Sequence, residues 1–232
     1  MQSLPLMLFA AGFGTRMGDL TRSRPKPLLM VNDKALIDHA LAIADQVCLG
    51  PKVVNLHYLG EQIERHLAGT DVVVVWERGR ILDTGGGLRA ALPILGPGPV
   101  LTLNTDAVWT GQNPLSQLSA HWNPATMDVL QLLLPIRKVR GHQGKADFLM
   151  NEIGQIRRAN GDEGFVYLGA QILKTEWLLT VPEDVFSLNL LWDHMIAKGT
   201  AFGLVHNGGW CDVGRPEGLA EAETMLAQVS GV

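Results

Sequence analysis

Cysteine is nearly missing from this sequence: Cys48 and Cys211 are the two in 232 residues. That excludes a disulfide framework as the scaffold and makes a reducing, cytoplasmic setting the expectation. An excess of positive charge is missing too. Lys and Arg number 19 against 23 Asp and Glu, a net charge of −4, so no broad basic surface is available to follow a nucleic-acid backbone. A small anionic ligand would need its own local pocket of cations. No apolar run is long enough to span a bilayer. The opening MQSLPLMLFAAG carries no basic region ahead of its apolar stretch, and reads as a buried first strand rather than a signal peptide. Internal repeats and low-complexity tracts are absent, including the hexapeptide repeat of a β-helical appendage. The seven histidines are scattered, without the tight His and Cys spacing that zinc requires.

What is present suits a folded core: 47% hydrophobic and 18% charged residues. The first half alternates strand-like and helix-like segments. Leu4–Ala10 is an apolar run that turns into glycines, as a buried parallel strand would. Ala35–Val47 has helical apolar spacing, and Lys52–Leu56 reads as a strand. Gly60–Leu67 reads as a helix with Ile63 and Leu67 on one face, followed by the β-branched strand Val72–Trp76. Gly87–Leu95 is a predicted helix stopped by the Gly96–Pro99 turn, and Val100–Leu103 is a strand that ends in Asn104-Thr105-Asp106. This rhythm predicts an α/β fold: a mainly parallel sheet with helices on both faces. In the second half Val129–Leu134, Phe148–Asn151, Gln155–Arg158 and Phe165–Ile172 read as strands. Ser187–Lys198 and Pro216–Gln228 read as helices. A small antiparallel extension of the sheet is expected. No composition break compels a boundary, so one domain is expected over 1–232. Its nucleotide-binding half would cover about 1–110 and its sugar-binding half about 111–232.

Directly after the first strand come Ala10-Ala11-Gly12-Phe13-Gly14-Thr15-Arg16. Small residues there let the backbone turn sharply and offer its N–H groups to phosphate oxygens. Arg16 adds a planar fork of donors. A Gly-x-Gly pair alone is also compatible with a plain turn. Two familiar phosphate motifs fail: the Walker pattern lacks its Gly-Lys-Ser/Thr, and Met17 stands where the dinucleotide fingerprint needs a small residue. Lys26 stands between Pro25 and Pro27, which restrict the backbone on both sides, hold it in extended chain and let the ammonium be aimed into a site.

Ala10–Arg16 followed by Pro25-Lys26-Pro27 resembles the signature of the sugar-1-phosphate nucleotidyltransferases. The resemblance continues in order through Leu82-Asp83-Thr84-Gly85-Gly86-Gly87, Asn104-Thr105-Asp106 and Trp210-Cys211-Asp212-Val213-Gly214. It therefore covers nearly the whole chain. It implies a Rossmann-like, GT-A-like fold, a nucleoside triphosphate and a sugar 1-phosphate as partners, and Mg²⁺ as cofactor. Within the family, the short chain, the Thr-Gly-Gly-Gly segment and Val54–Glu64 are most similar to the branch that uridylylates N-acetylmuramate 1-phosphate in peptidoglycan recycling, with UTP as the favoured nucleotide.

Asp106 closes a buried strand at the edge where ligands sit in open α/β sheets, and a carboxylate there suits Mg²⁺. By resemblance Asp106 and Asp212 are the two metal-holding carboxylates. Either aspartate alone could be a turn or cap residue, and Asp212 competes as a cap for the last helix. Cys211 reads as a small buried hydrophobe. The resemblance makes Arg16, Lys26 and Asp106 catalytic. Arg16 is expected on the β- and γ-phosphates and Lys26 on the α-phosphate or the incoming phosphate. Because a phosphate oxygen is itself the nucleophile, no Ser-His-Asp or Cys-His set is needed. Nucleotide contacts are expected from Ala11, Gly12, Gly14, Thr15, Arg16, Lys26, Asn55, Thr84, Gly85, Gly86 and Asp106. Gly85–Gly87 are read as an open loop before a helix that begins near Gly87, letting a pyrimidine base approach the backbone.

Sugar contacts are expected from Asn104, Asp147, Tyr167 and Gly169. The Glu-Lys-Pro segment of many family members is replaced by Asn160-Gly161-Asp162-Glu163-Gly164, which argues against glucose- or mannose-type contacts. An acidic sugar would call for a cation, with Arg137, Lys138 or Arg140 as candidates. Competing readings are the same chemistry on mannose 1-phosphate, glucose 1-phosphate or phosphocholine, and a non-catalytic nucleotide-binding regulator. A GT-A glycosyltransferase would carry Asp-x-Asp, and Asn104-Thr105-Asp106 is not one.

Overall fold

A computed structural model describes residues 3–47 and 50–230; Cys48 lies outside them. Along the chain run β1 (Leu6–Phe9), a hairpin of β2 (Met30–Val31) and β3 (Lys34–Ala35), α1 (Leu36–Ala44), β4 (Lys52–Leu56), α2 (Gly60–His66) and β5 (Val72–Trp76). Next come α3 (Asp83–Leu95), β6 (Val100–Asn104), β7 (Ala107–Trp109), α4 (Pro114–His121), β8 (Val129–Pro135), β9 (Phe148–Met150) and β10 (Ile156–Arg158). The last part holds β11 (Phe165–Leu173), α5 (Asn189–Ala197), β12 (Ala201–Val205), β13 (Trp210–Asp212) and α6 (Glu217–Ser230).

The apolar runs become the strands of one mixed sheet, ordered β10-β9-β11-β6-β1-β4-β5, with β8 beside β11 and β12 beside β8. Its centre, β6-β1-β4-β5, is parallel, as strands buried on both faces require. Antiparallel β11 then joins β6 and β8. Side chains alternate across the sheet. Leu6 and Leu8 pack in the cluster that takes in Ile37 of α1, Ile63 of α2 and Leu115 of α4. Met7 points the other way, into the cluster with Leu88 of α3 and Leu191 of α5. Helices therefore cover both faces, as expected. A third cluster lays Ala222 and Met225 of α6 against Cys211, Val213, Met17 and Val108.

Several elements depart from the sequence reading. The helix expected from Gly87 begins four residues earlier, so Gly85 and Gly86 lie buried within α3. Each does so because there is no room for a Cβ: one on Gly85 would meet the Phe186 ring at 2.4 Å, and one on Gly86 would meet the Asp184 carbonyl at 2.3 Å. The open loop expected for Gly85–Gly87 is therefore a helix packed tightly against the 184–186 segment. Lys26 is not in extended chain; it opens a one-turn 3₁₀ helix, Lys26–Leu28. Pro27 sits in its first turn, where the missing N–H costs nothing. The hairpin β2–β3, β7, α4 and β12 were not foreseen.

β1 is the point where the strand order reverses, with β4 on one side and β6 on the other. Open α/β sheets bind ligands at that crevice, beyond the carboxyl ends of the strands.

Candidate functional site

At the end of β1, Phe9 pairs in register with Asn55 of β4 on one side and Asn104 of β6 on the other. The next residue leaves the sheet, and its N–H donates to Asn55 Oδ1 at 2.9 Å. The glycine loop thus starts from a fixed point. Gly14 holds φ at +65°, and a Cβ there would crowd Lys26 and Thr21 at 3.0 Å each. Gly12 faces open space with no heavy atom within 4 Å of a built Cβ. Thr21 fastens the following turn by donating to the Gly14 carbonyl at 3.0 Å. Tyr58 donates in turn to the Thr21 carbonyl at 2.8 Å, and Phe13 stands edge-on to His57 with 5.5 Å between centroids. The loop's amides are held in place before any ligand arrives.

Lys26 is 8% exposed, and its Nζ donates to Asp106 Oδ2 at 2.8 Å, across 80 residues of sequence. Asp106 is placed from two directions. Thr105 Oγ1 donates to the Phe9 carbonyl at 2.7 Å, tying the ends of β6 and β1 together. The Asp106 carbonyl accepts from Val213 N–H at 2.9 Å, and β13 pairs with β7 so that Asp212 opposes Ala107. The two expected carboxylates therefore meet at one end of the sheet. Burial works against ionisation of Asp106, but the Lys26 ammonium and the Arg16 guanidinium outweigh it and hold the carboxyl below its ordinary range. Asp212 shifts the other way: burial raises it, and the nearby Asp106 charge raises it further. Gly214 leaves the Asp212 carboxylate its room, since a Cβ there would sit 2.7 Å from Oδ2.

Arg16, Lys26, Asp106 and Gly214 line one cleft of about 320 Å³ together with Asn55, Glu77, Ile81, Asp83 and Thr84, whereas Asp212 lies beside a neighbouring cavity that Arg16 also lines. Ala11, Gly12, Gly14, Thr15 and Asn104 also line the cleft, whereas Gly85 and Gly86 do not. Glu77 was missed in the sequence. It is 2% exposed, accepts from Asn55 Nδ2 at 2.6 Å through Oε1, and accepts from Leu82 N–H at 2.7 Å through Oε2. Gly87 permits this pair, for a Cβ would approach both partners within 2.8 Å. Position alone could have flagged Glu77, since it directly follows the strand β5 as Asp106 comes just after β6.

Of the expected sugar contacts, Asn104 lines the cleft and Gly169 lies against it. Gly169 has φ +83°, sits where β11 bulges away from β8, and leaves no room for a Cβ beside Asn104. Asp147 and Tyr167 lie outside the cleft walls. The Asp147 carboxylate accepts from Tyr167 N–H at 2.8 Å, and the Tyr167 ring meets Trp192 with 4.9 Å between centroids. Arg140 donates to Gln228 of α6 at 3.0 Å, and neither it, Arg137 nor Lys138 lines the cleft. Cys211 is fully buried and free, and burial pushes its thiol up to about 12, as a packing residue rather than a nucleophile. Among the described residues, no group of three or more His, Cys, Asp or Glu is placed to hold a metal. No described helix is long and apolar enough to cross a membrane.

Comparison with known proteins fits this geometry. The model of the MobA-like NTP transferase domain matches residues 6–146. The N-acetylmuramate alpha-1-phosphate uridylyltransferase of Caulobacter vibrioides is 36% identical over 96% of this chain and 96% of its own. The chain belongs to the NTP transferase family. The enzyme of the same name from Neisseria meningitidis is 30% identical, covering 94% of this chain and 96% of its own. In fold, the chain superposes on HddC from Yersinia pseudotuberculosis with a TM-score of 0.77 at 18% identity, over 96% of this chain and 99% of the other. The chain is a nucleotidyltransferase, and its α/β sheet is that of the family.

Proposed function

We propose that this nucleotidyltransferase moves UMP from UTP to N-acetylmuramate 1-phosphate, releasing pyrophosphate. The observation that carries the reading is the end-to-end likeness, 36% and 30% identical, to two enzymes named for that reaction. In this reading a phosphate oxygen of the acceptor, already ionised at neutral pH, attacks the α-phosphorus in line. The bond from that phosphorus to the bridging oxygen breaks, and the electron pair leaves with pyrophosphate. No proton has to be moved, so the cleft needs charge and placement rather than a general base. Lys26 serves the α-phosphate, and Arg16 with the amides of residues 11–15 serves the rest of the triphosphate.

Asp106 and Asp212 fit a divalent cation, because the Asp106 charge that opposes ionisation of Asp212 is offset by shared positive charge. Mg²⁺ held there would offset the charge on the α-phosphate and on the leaving pyrophosphate. Asn55, Glu77 and Thr84 form the base end, and Gly85 and Gly86 serve it by letting α3 close against 184–186. Asn104 and Gly169 face the acceptor, with Asp147 and Tyr167 supporting the strand behind them. The nine-stranded sheet, which draws strands from both halves of the chain, supports reading it as one domain, and the likeness to the two N-acetylmuramate alpha-1-phosphate uridylyltransferases supports a place in peptidoglycan recycling.

A pyrophosphate-release screen of nucleoside triphosphates against sugar 1-phosphates in Mg²⁺ tests this. UTP with N-acetylmuramate 1-phosphate is expected to give the highest kcat/KM. Release with mannose 1-phosphate, glucose 1-phosphate or phosphocholine alone would remove the muramate assignment. No release with any pair would favour a regulator.

A further inference from the structure

Between α2 and the hairpin β2–β3 lies a cavity of about 480 Å³ that shares no wall residue with the cleft. Leu28, Met30 and Ala35 give it apolar walls, and Arg24, Arg65 and His66 complete it with Gln62. Met30 is exposed although it is apolar. Among the described residues neither arginine forms an ion pair. Arg65 Nε donates only to the Glu61 carbonyl of its own helix, at 3.2 Å, and the Arg24 side chain makes no hydrogen bond. Asp38 offers them no counter-charge, because His66 Nε2 engages its Oδ1 at 2.7 Å. The wall is fixed next to Arg24, where Gln62 Nε2 donates to the Ser23 carbonyl at 2.9 Å.

We propose that this cavity binds a small amphipathic oxyanion, a molecule that joins one carboxylate, phosphate or sulfonate to an apolar body, and that its occupancy acts on Lys26. Guanidinium forks match the paired oxygens of such a group, and ligand pockets of this size combine apolar walls with a few convergent polar groups. A bare inorganic anion leaves Leu28, Met30 and Ala35 uncovered. A neutral apolar molecule leaves both guanidiniums without a partner. A ligand that carries both features uses the whole wall. The link to catalysis is short and stiff. Arg24 is separated from Lys26 by Pro25 alone, and Leu28 closes the Lys26–Leu28 turn by donating its N–H to the Pro25 carbonyl at 2.9 Å. Two prolines restrict the backbone there, so a shift at Arg24 or Leu28 is carried to Lys26 rather than absorbed. Lys26 already sits against Asp106 at 2.8 Å, and displacement of its turn draws the ammonium away. Occupancy therefore lowers turnover.

Anilinonaphthalene sulfonate has both features and reports its own binding by fluorescence. It is titrated into the full chain, with UTP and Mg²⁺ saturating the cleft, for wild type, Arg24→Ala, Arg65→Ala and Arg65→Lys. Each alanine variant is expected to weaken the probe by about fivefold or more, with Arg65→Lys in between, since it keeps the charge and loses the fork. The uncharged analogue N-phenylnaphthylamine should bind more weakly than the sulfonate and respond to neither arginine. In turnover, saturating probe should lower the wild-type kcat and leave that of Arg65→Ala unchanged, while Arg65→Ala without probe turns over as wild type does. Equal probe affinity in wild type and both alanine variants overturns the site, as does a neutral analogue that binds as tightly as the sulfonate. A wild-type kcat unmoved at saturating probe overturns the action on Lys26. Inhibition that persists in Arg65→Ala places the probe in the cleft and overturns it as well. The fluorescence measurement needs no turnover, so its outcome does not depend on which sugar the cleft accepts.

Discussion

Lys26 and Asp106 form an ion pair at 2.8 Å in which the lysine side chain is 10% exposed and the carboxylate 32%. Each is therefore poised for the ligand and held by the other. Lys26→Ala and Asp106→Ala should each lower kcat by about a hundredfold or more while circular dichroism shows an intact fold; wild-type turnover in either would remove its assignment. Glu77 is a different case. Its two oxygens satisfy the Asn55 amide and the Leu82 N–H inside the wall, so its loss leaves buried donors unpaired. Glu77→Ala is expected to cost about 2–4 kcal/mol in urea unfolding as well as raising KM for the nucleotide. A change in KM without loss of stability would mean that the carboxylate reads the base and does not support the wall.

The glycines differ by element, and so should their replacements. Gly86 lies within α3 with the Asp184 carbonyl where a Cβ would go. Gly86→Ala should therefore push α3 away from the 184–186 segment and destabilise by about 1–3 kcal/mol. Gly12→Ala, in the loop after β1, meets nothing. It should change stability by less than about 0.5 kcal/mol while obstructing nucleotide binding, seen as a raised KM at unchanged melting temperature. The same contrast shows what was readable locally. Lys52–Leu56 and Val72–Trp76 were read with their observed ends because short runs of valine between turn residues mark strands. The start of α3 was misplaced because glycine propensity argues for a loop, and only packing against Phe186 overrides it. Helix α4 did carry a signal: Asn113 caps it by accepting from Leu115 and Ser116 N–H at 2.9 and 3.0 Å, with Pro114 at its first position.

Across the molecule, the sheet is clasped far from the cleft by Asp128. It accepts from Lys174 at 2.8 Å, Lys198 at 3.2 Å and Thr200 at 2.8 Å, which ties the start of β8 to the end of β11 and the turn before β12. Burial opposes its charge, but these donors depress its pKa to about 2. A depressed carboxylate contributes stability above its unfolded value, near 4, and loses it as pH falls through the folded value. Asp128→Asn should therefore lower stability at pH 7 by about 1 kcal/mol after allowance for the exposed lysines, and the gap to wild type should close between about pH 4 and about pH 2. An equal gap at pH 2 would show that shape rather than charge is at work. At the opposite end, millimolar Mg²⁺ should raise the melting temperature of the wild type, and Asp212→Asn should abolish that increment.

The alternation of buried strands with amphipathic helices, the glycine loop at the end of the first strand, and the order of the motifs were fixed by local sequence. Each depends on short-range periodicity or backbone freedom. Tertiary structure alone decided which side chains face one another. Lys26 meets Asp106 across 80 residues, and Asn55 meets Glu77 across 22. Asp212 reaches Asp106 through the pairing of β13 with β7, and Arg215 joins Arg16 around a cavity formed by a loop some 70 residues earlier in the chain. Such meetings depend on strand register and side-chain direction, which no local pattern specifies.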